Sequence, residues 1–166
     1  MQVPWRKPGQ YTHLKPDPNV SQAKFDEFNK KLQYLYDVAR PRTIADMQEQ
    51  AKNGDFSENA AYAIAKGRLR GINNRILELE SFINQAQIIE PAKHTGKVEL
   101  GSTVTVAVGG KKKTYHILGS AETNPASGVI SNHSPIGAAL YGRAVGELVA
   151  VKLANKEVDY LIVKIE

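Results

Sequence analysis

A chain of 166 residues, 42% hydrophobic and 23% charged, is long enough for one ordinary domain or two small ones, and its composition is globular. It has no cysteine, which excludes a disulfide framework and any cysteine-ligated zinc finger, and its four histidines (His13, His94, His116, His133) show no pair at metal-ligand spacing. The net charge of +5 favours polyanionic partners only modestly.

No apolar run approaches the roughly 20 residues that span a bilayer. The N-terminus, MQVPWRKPGQYTHLKPDPNV, lacks the apolar core of a signal peptide, so a soluble, cytoplasmic protein is expected. Residues 1–20 carry Pro4, Pro8, Pro16 and Pro18 and no apolar period, and they read as an irregular N-terminal extension.

A helical unit is expected over residues 21–91. Phe25, Phe28, Leu32 and Leu35 recur at intervals of 3, 4 and 3, and after Pro41 the stripe resumes at Ile44, Met47 and Ala51. The proline predicts a kink, because it removes a hydrogen bond inside the helix. Asn53-Gly54-Asp55 then ends that helix and predicts a turn. The next helix has the clearest pattern in the chain. Tyr62, Ala65, Leu69, Ile72, Ile76, Leu79, Ile83 and Ala86 alternate by 3 and 4, a coiled-coil seam. Two helices with one stripe each and a short loop between them pack antiparallel. About 30 residues make a rod of roughly 45 Å, which nothing else in the chain can cover. Gly67 and Gly71 lie off the seam and weaken the helix by about 1 kcal/mol each relative to alanine.

Residues 92–100 read as a linker, and from residue 101 the period becomes two. Strands are expected at 101–108, 113–119, 128–133, 148–154 and 158–166, with Gly109-Gly110 as a hairpin turn and Lys111-Lys112-Lys113 as a solvated hairpin tip. Ser134-Pro135 reads as an N-cap followed by proline at the first helical position, opening a short helix. The second unit, 101–166, is therefore expected to be a small α+β domain, an antiparallel sheet with one helix.

Asp55 and Glu58 sit at the apex of the expected hairpin. Acids in a first helical turn are favoured by the helix dipole alone. Here they would also be the most remote point of a long rod, and hard cations such as Mg²⁺ often take only one or two protein carboxylates. Two acids alone make no tight site, but they can complete one that belongs to something else. Between Glu58 and Glu78 there is no acidic residue, whereas Lys66, Arg68, Arg70 and Arg75 all fall there. That stretch is either an ordinary solvated face or a track for an RNA backbone. Tyr62 belongs to the seam; Phe56, between two acids, has no place in it.

Arg40-Pro41 followed by Gly54-Asp55-Phe56-Ser57-Glu58-Asn59-Ala60-Ala61-Tyr62 resembles the bacterial transcript cleavage factors GreA and GreB, whose tips read G-D-x-x-E-N-A-x-Y after an Arg-Pro pair at the same interval. The likeness resumes at Gly128-Val129-Ile130-Ser131, Ser134-Pro135-Ile136 and Ala139-Leu140-Tyr141-Gly142, and covers roughly residues 20–166. The SENA-x-Y and KxRLR stretches look nearer GreB. The resemblance implies an N-terminal antiparallel coiled coil, with its acidic tip at 54–59, followed by an FKBP-like domain. It implies binding of RNA polymerase as a monomer, with Ser134, Pro135 and Ile136 on the rim of the secondary channel and the coiled coil inside it. Asp55 would ligate a second Mg²⁺ shared with the polymerase, Glu58 would position the attacking water, and Gly54, Phe56 and Asn59 would shape the tip. Lys66, Arg68, Arg70 and Arg75 would face the polymerase or the 3′ end of the nascent RNA. The chain would then be a co-catalyst of two-metal hydrolysis, not an enzyme by itself. Phe56 replaces the usual aliphatic or basic residue between the acids, and His133 stands where Asn or Asp is common. A channel-binding regulator without cleavage is the alternative; the retained pair Asp55 and Glu58 favours cleavage. A prolyl isomerase reading fails on its pocket, because residues 92–166 hold only Tyr115, Tyr141 and Tyr160 as aromatics.

Overall fold

In the computed structural model, residues 17–52, 60–90, 95–153 and 156–166 are described. Ser21 starts the first helix: its backbone is extended and its hydroxyl accepts the Lys24 N–H at 3.2 Å, satisfying one of the amides that a helix start leaves unpaired. From there α1 (Gln22–Tyr34), a π-helical turn (Leu35–Ala39) and α2 (Arg40–Ala51) follow without a loop. Pro41 explains the interruption. It has no N–H to donate, and in a regular helix its ring would strike the Asp37 carbonyl. The wider π turn is closed by the Arg40 N–H donating to Leu35 O, so α2 begins afresh with Pro41 in its first turn, where a missing N–H is harmless. The break expected at the proline thus takes the form of a π turn.

The returning helix is α3 (Ala60–Gln85). Its seam is the predicted one: Ala65, Ile76 and Leu79 are buried, and Tyr62, Leu69, Ile72 and Ile83 are half-buried, as is Ala86 just past the end of the helix. Facing them, Phe25, Phe28, Leu32, Leu35, Ile44, Met47 and Ala51 are half-buried. A two-helix layer covers one side of each helix only, so neither α1 nor α2 buries any residue fully. The rings of Phe28 and Phe82 meet at 5.1 Å, and the Tyr36 hydroxyl donates to Glu80 Oε1 at 2.7 Å. Advancing along the first helix therefore means retreating along α3, and the pair is antiparallel.

At the open end of this pair the chain differs from expectation. Asn19–Val20, inside the stretch read as irregular, form β1, which pairs in parallel with β2 (Gln87–Ile88). Gln87 N donates to Pro18 O at 2.8 Å and Ile89 N to Val20 O at 2.9 Å, and Val20 is fully buried. Two residues are too few to show a period, so no alternation announced this strand.

The second unit is a five-stranded sheet in the order β5-β4-β3-β7-β6, built from β3 (Thr103–Val108), β4 (Lys111–Leu118), β5 (Val129–Ser131), β6 (Leu148–Leu153) and β7 (Lys156–Ile165). Gly109 and Gly110, with φ of 55° and 75°, make the hairpin turn between β3 and β4, a conformation that glycine reaches without strain. Lys111, Lys112 and Lys113 open β4 and are exposed; they lie on the strand, not on the turn. The sheet was expected to be wholly antiparallel, and four of its strands are. The edge strand β5 runs parallel to β4, because the chain between them crosses through two 3₁₀ turns (Ser120–Glu122 and Pro125–Ser127) instead of a hairpin. The short helix α4 (Pro135–Leu140) packs on the inner face. The core there joins Val104, Val106, Ile117, Ile130, Leu140, Val149, Val151, Tyr160 and Ile162. Val98, from the stretch read as a linker, is fully buried in the same core and exchanges hydrogen bonds with Gly142 and Arg143.

Candidate functional site

The expected tip, Gly54, Asp55, Phe56, Glu58 and Asn59, lies outside the described residues. What surrounds it is described. The first helix ends at Ala51, α3 begins at Ala60, and these two ends close the seam on either side. The Phe28–Phe82 and Tyr36–Glu80 contacts pair the two arms antiparallel, so the stretch with Asp55 and Glu58 joins the end of α2 to the start of α3 in the sequence.

The basic stretch behind the tip does not form one track. Successive helical residues turn by about 100°, which puts Lys66 and Arg70 on one flank of the seam and Arg68 and Arg75 on the other. All four are exposed. Arg75 forms an ion pair with Glu78 at 2.8 Å, whereas Lys66, Arg68 and Arg70 have no ion pair among the described residues. Lys66 and Arg70 border a shallow groove with Ala63 and Gly67. A methyl added at Gly67 or at Gly71 would meet nothing within 4 Å.

Ser134, Pro135 and Ile136 come together at the start of α4. The Ser134 hydroxyl donates to Ser131 O at 2.6 Å and accepts the Gly137 N–H at 3.0 Å, so this side chain builds the turn. Pro135 is exposed and Ile136 half-buried. Sequence reasoning passed over Gly137, which is buried; a methyl there would overlap Ser131 O. The turn therefore requires glycine for close approach, and only the N-cap pattern hinted at it.

Among the described residues no group of three or more His, Cys, Asp or Glu is gathered as a metal would need. The tip acids supply hard oxygen donors, the type that Mg²⁺ takes. No described helix is long and apolar enough to cross a membrane.

Two sequence families match this chain: the one described as "Transcription elongation factor, N-terminal" over residues 19–88, and "Transcription elongation factor, GreA/GreB, C-term" over residues 93–166. The transcription elongation factor GreA of Mesoplasma florum is 39% identical over 139 residues, covering 82% of this chain and 89% of that protein. The GreA of Cereibacter sphaeroides is 34% identical over 148 residues, covering 88% and 98%. Among solved structures, GreA factor homolog 1 of Thermus thermophilus is 24% identical, with 89% of this chain and 97% of that chain covered and a TM-score of 0.40.

Proposed function

This chain belongs to the GreA/GreB family of transcription elongation factors, and we propose from that premise that it stimulates cleavage of backtracked RNA inside RNA polymerase. The observation that carries the reading is the antiparallel pairing of the two arms through Phe28–Phe82 and Tyr36–Glu80, with positions 55 and 58 in the stretch of sequence that joins them. In this reading the acids belong to the turn that joins α2 to α3, since Ala51 and Ala60 end the two arms on either side of them in the sequence. The α4 turn at Ser134-Pro135-Ile136 is the natural grip on the channel rim, since it is rigidly capped and presents Pro135 outward.

In this reading the chain contributes charge and position. Asp55 offers carboxylate oxygens to a Mg²⁺ ion held mainly by the polymerase. Glu58, three residues on, orients the attacking water and draws its proton as the phosphodiester is attacked. Gly54, Phe56 and Asn59 would shape the tip that carries them. When bound, the ion stabilises the charge that builds on the attacked phosphate. The polymerase supplies the active site, which makes this chain a co-catalyst.

The test is shortening of labelled RNA in stalled, backtracked complexes. Asp55→Asn and Glu58→Gln should each remove stimulated cleavage while leaving polymerase binding within about twofold, because neither touches the grip. RNA shortened at the wild-type rate by the double variant would sink the assignment. A wild-type chain that binds polymerase without shortening RNA would instead be a channel-binding regulator.

A further inference from the structure

Where the rod meets the sheet domain, the two units are held by more than the connecting chain. Ser21 N–H donates to Glu122 Oε1 and Ser21 Oγ to Glu122 Oε2, both at 2.6 Å, short bonds of the charge-assisted kind. One carboxylate thus grips the residue that caps α1. Beside it, Asp17 Oδ2 accepts the Ser120 N–H at 2.9 Å, while Oδ1 accepts the Asn19 N–H at 3.1 Å and the Asn19 side-chain amide at 2.7 Å. His133 Nε2 stands 3.9 Å from Asp17 Oδ2. Burial would push the Asp17 carboxyl up, but the Ser120 and Asn19 donors and the His133 charge outweigh it and hold it below the ordinary carboxylate value. Gly119 completes the contact: its backbone lies so close to Asn19 that an added methyl would overlap the Asn19 carbonyl. The partners Ser120 and Glu122 belong to the 3₁₀ turn that leaves β4.

We propose that this clasp, Glu122 on Ser21 and Asp17 on Ser120, sets the angle of the rod, and that Glu122 is a positioning residue for the tip. The reason is leverage. Over a rod of roughly 45 Å, a rocking of about 10° at the base carries the far end about 8 Å. Reacting groups tolerate displacements of only about 1 Å before rates fall steeply. A flexible joint would leave the acids outside the reacting geometry most of the time. The clasp stands at the base of the rod, where a small rotation is most magnified at the far end. The orientation claim stands on geometry alone; its consequence for cleavage rests on the function proposed above.

The chain has no cysteine, so two introduced ones report its geometry without interference. Spin labels at Glu49→Cys, near the end of α2, and Lys152→Cys, on β6, both exposed positions, measure the distance from rod to sheet domain in the full chain. The wild-type background should give one narrow distance distribution. Glu122→Ala, which spares the Ser21 cap of α1, should broaden or shift it, and Glu122→Gln, with one acceptor oxygen left, should do so less. Gly119→Ala wedges the same contact by sterics and should broaden it too. Circular dichroism of each variant establishes that both units are folded. At saturating factor, Glu122→Ala should cleave about tenfold more slowly or worse, with its half-saturating concentration within about threefold. A wild-type distance distribution in both Glu122→Ala and Gly119→Ala would overturn the clasp, and an unchanged saturated rate beside a broadened distribution would overturn the positioning role. Absence of cleavage by the wild-type chain would count against the proposed function instead, and the distances would still decide on the clasp.

Discussion

The ring of Phe28 meets that of Phe82 edge to face, with 5.1 Å between centroids and 84° between planes, and this one contact ties α1 to α3 near the base of the rod. Both rings are half-buried, and Lys24 Nζ lies 5.1 Å from the Phe28 centroid. Truncating either ring to alanine should cost about 2–3 kcal/mol, less than for a fully enclosed ring. The double variant should cost less than the sum of the singles by about 0.5–1.5 kcal/mol, the size of an aromatic pair. Urea unfolding of the four proteins gives both numbers; strict additivity would mean that the rings do not interact.

Gly67 and Gly71 offer the opposite expectation. Both are helical, and a methyl at either enters open space. Gly67→Ala and Gly71→Ala should therefore each stabilise the rod by about 1 kcal/mol. Thermal midpoints should rise by roughly 2–4 °C per substitution if unfolding is two-state. A lower midpoint would mean that α3 packs against something at these positions.

The two basic flanks separate in a titration of salt. Arg75 is already shared with Glu78, whereas Arg68, two turns earlier on the same flank, has no ion pair among the described residues. Arg68→Gln should weaken action on long backtracked RNA more than Arg75→Gln does, and both should matter less on short RNA. If Arg68 neutralises a phosphate, its loss should lower the salt dependence by about one unit of slope. Equal, small losses on both RNA lengths would make this flank a plain solvated surface.

Acid should loosen the base of the rod. Asp17 has its carboxyl depressed in the fold, so the stability it contributes is present above its ordinary pKa and is lost as pH falls through the folded value. The difference in thermal midpoint between wild type and Asp17→Asn should be full near neutrality and shrink below about pH 4. A difference that stays constant down to pH 3 would remove Asp17 from the clasp.

Much of this architecture is legible in the sequence because periodicity survives without a partner. The α3 seam from Tyr62 to Ile83 could be read directly, since its apolar residues recur on the side that the first arm covers. The strands β3, β4, β6 and β7 could be read likewise from alternation. Pro41 announces a break but not its form; only the surrounding carbonyls decide that the helix widens into a π turn. Val98 looked like linker because Val98 and Leu100 give only one step of alternation before Gly101, too little to show a period. The parallel placement of β5 depends on how a loop crosses, and three residues carry no sign of direction. The clasp was invisible because Ser21 and Glu122 lie 101 residues apart and each has a local reading, one as a cap and one as a surface acid. Asp55 and Glu58, by contrast, stand out in the sequence by their spacing and their place between two stripes, and they lie outside the described residues.

The long separation of Ser21 and Glu122 also orders events during synthesis. Asn19 and Ser21 leave the ribosome before Gln87, the strand partner, and well before Glu122. The paired helices can zip through nearby contacts as soon as α3 is complete, which is the fast, local part of folding. Their shoulder can lock only after the turn at Ser120–Glu122 has been made. A nascent chain halted before that turn would carry a finished arm with nothing to brace it.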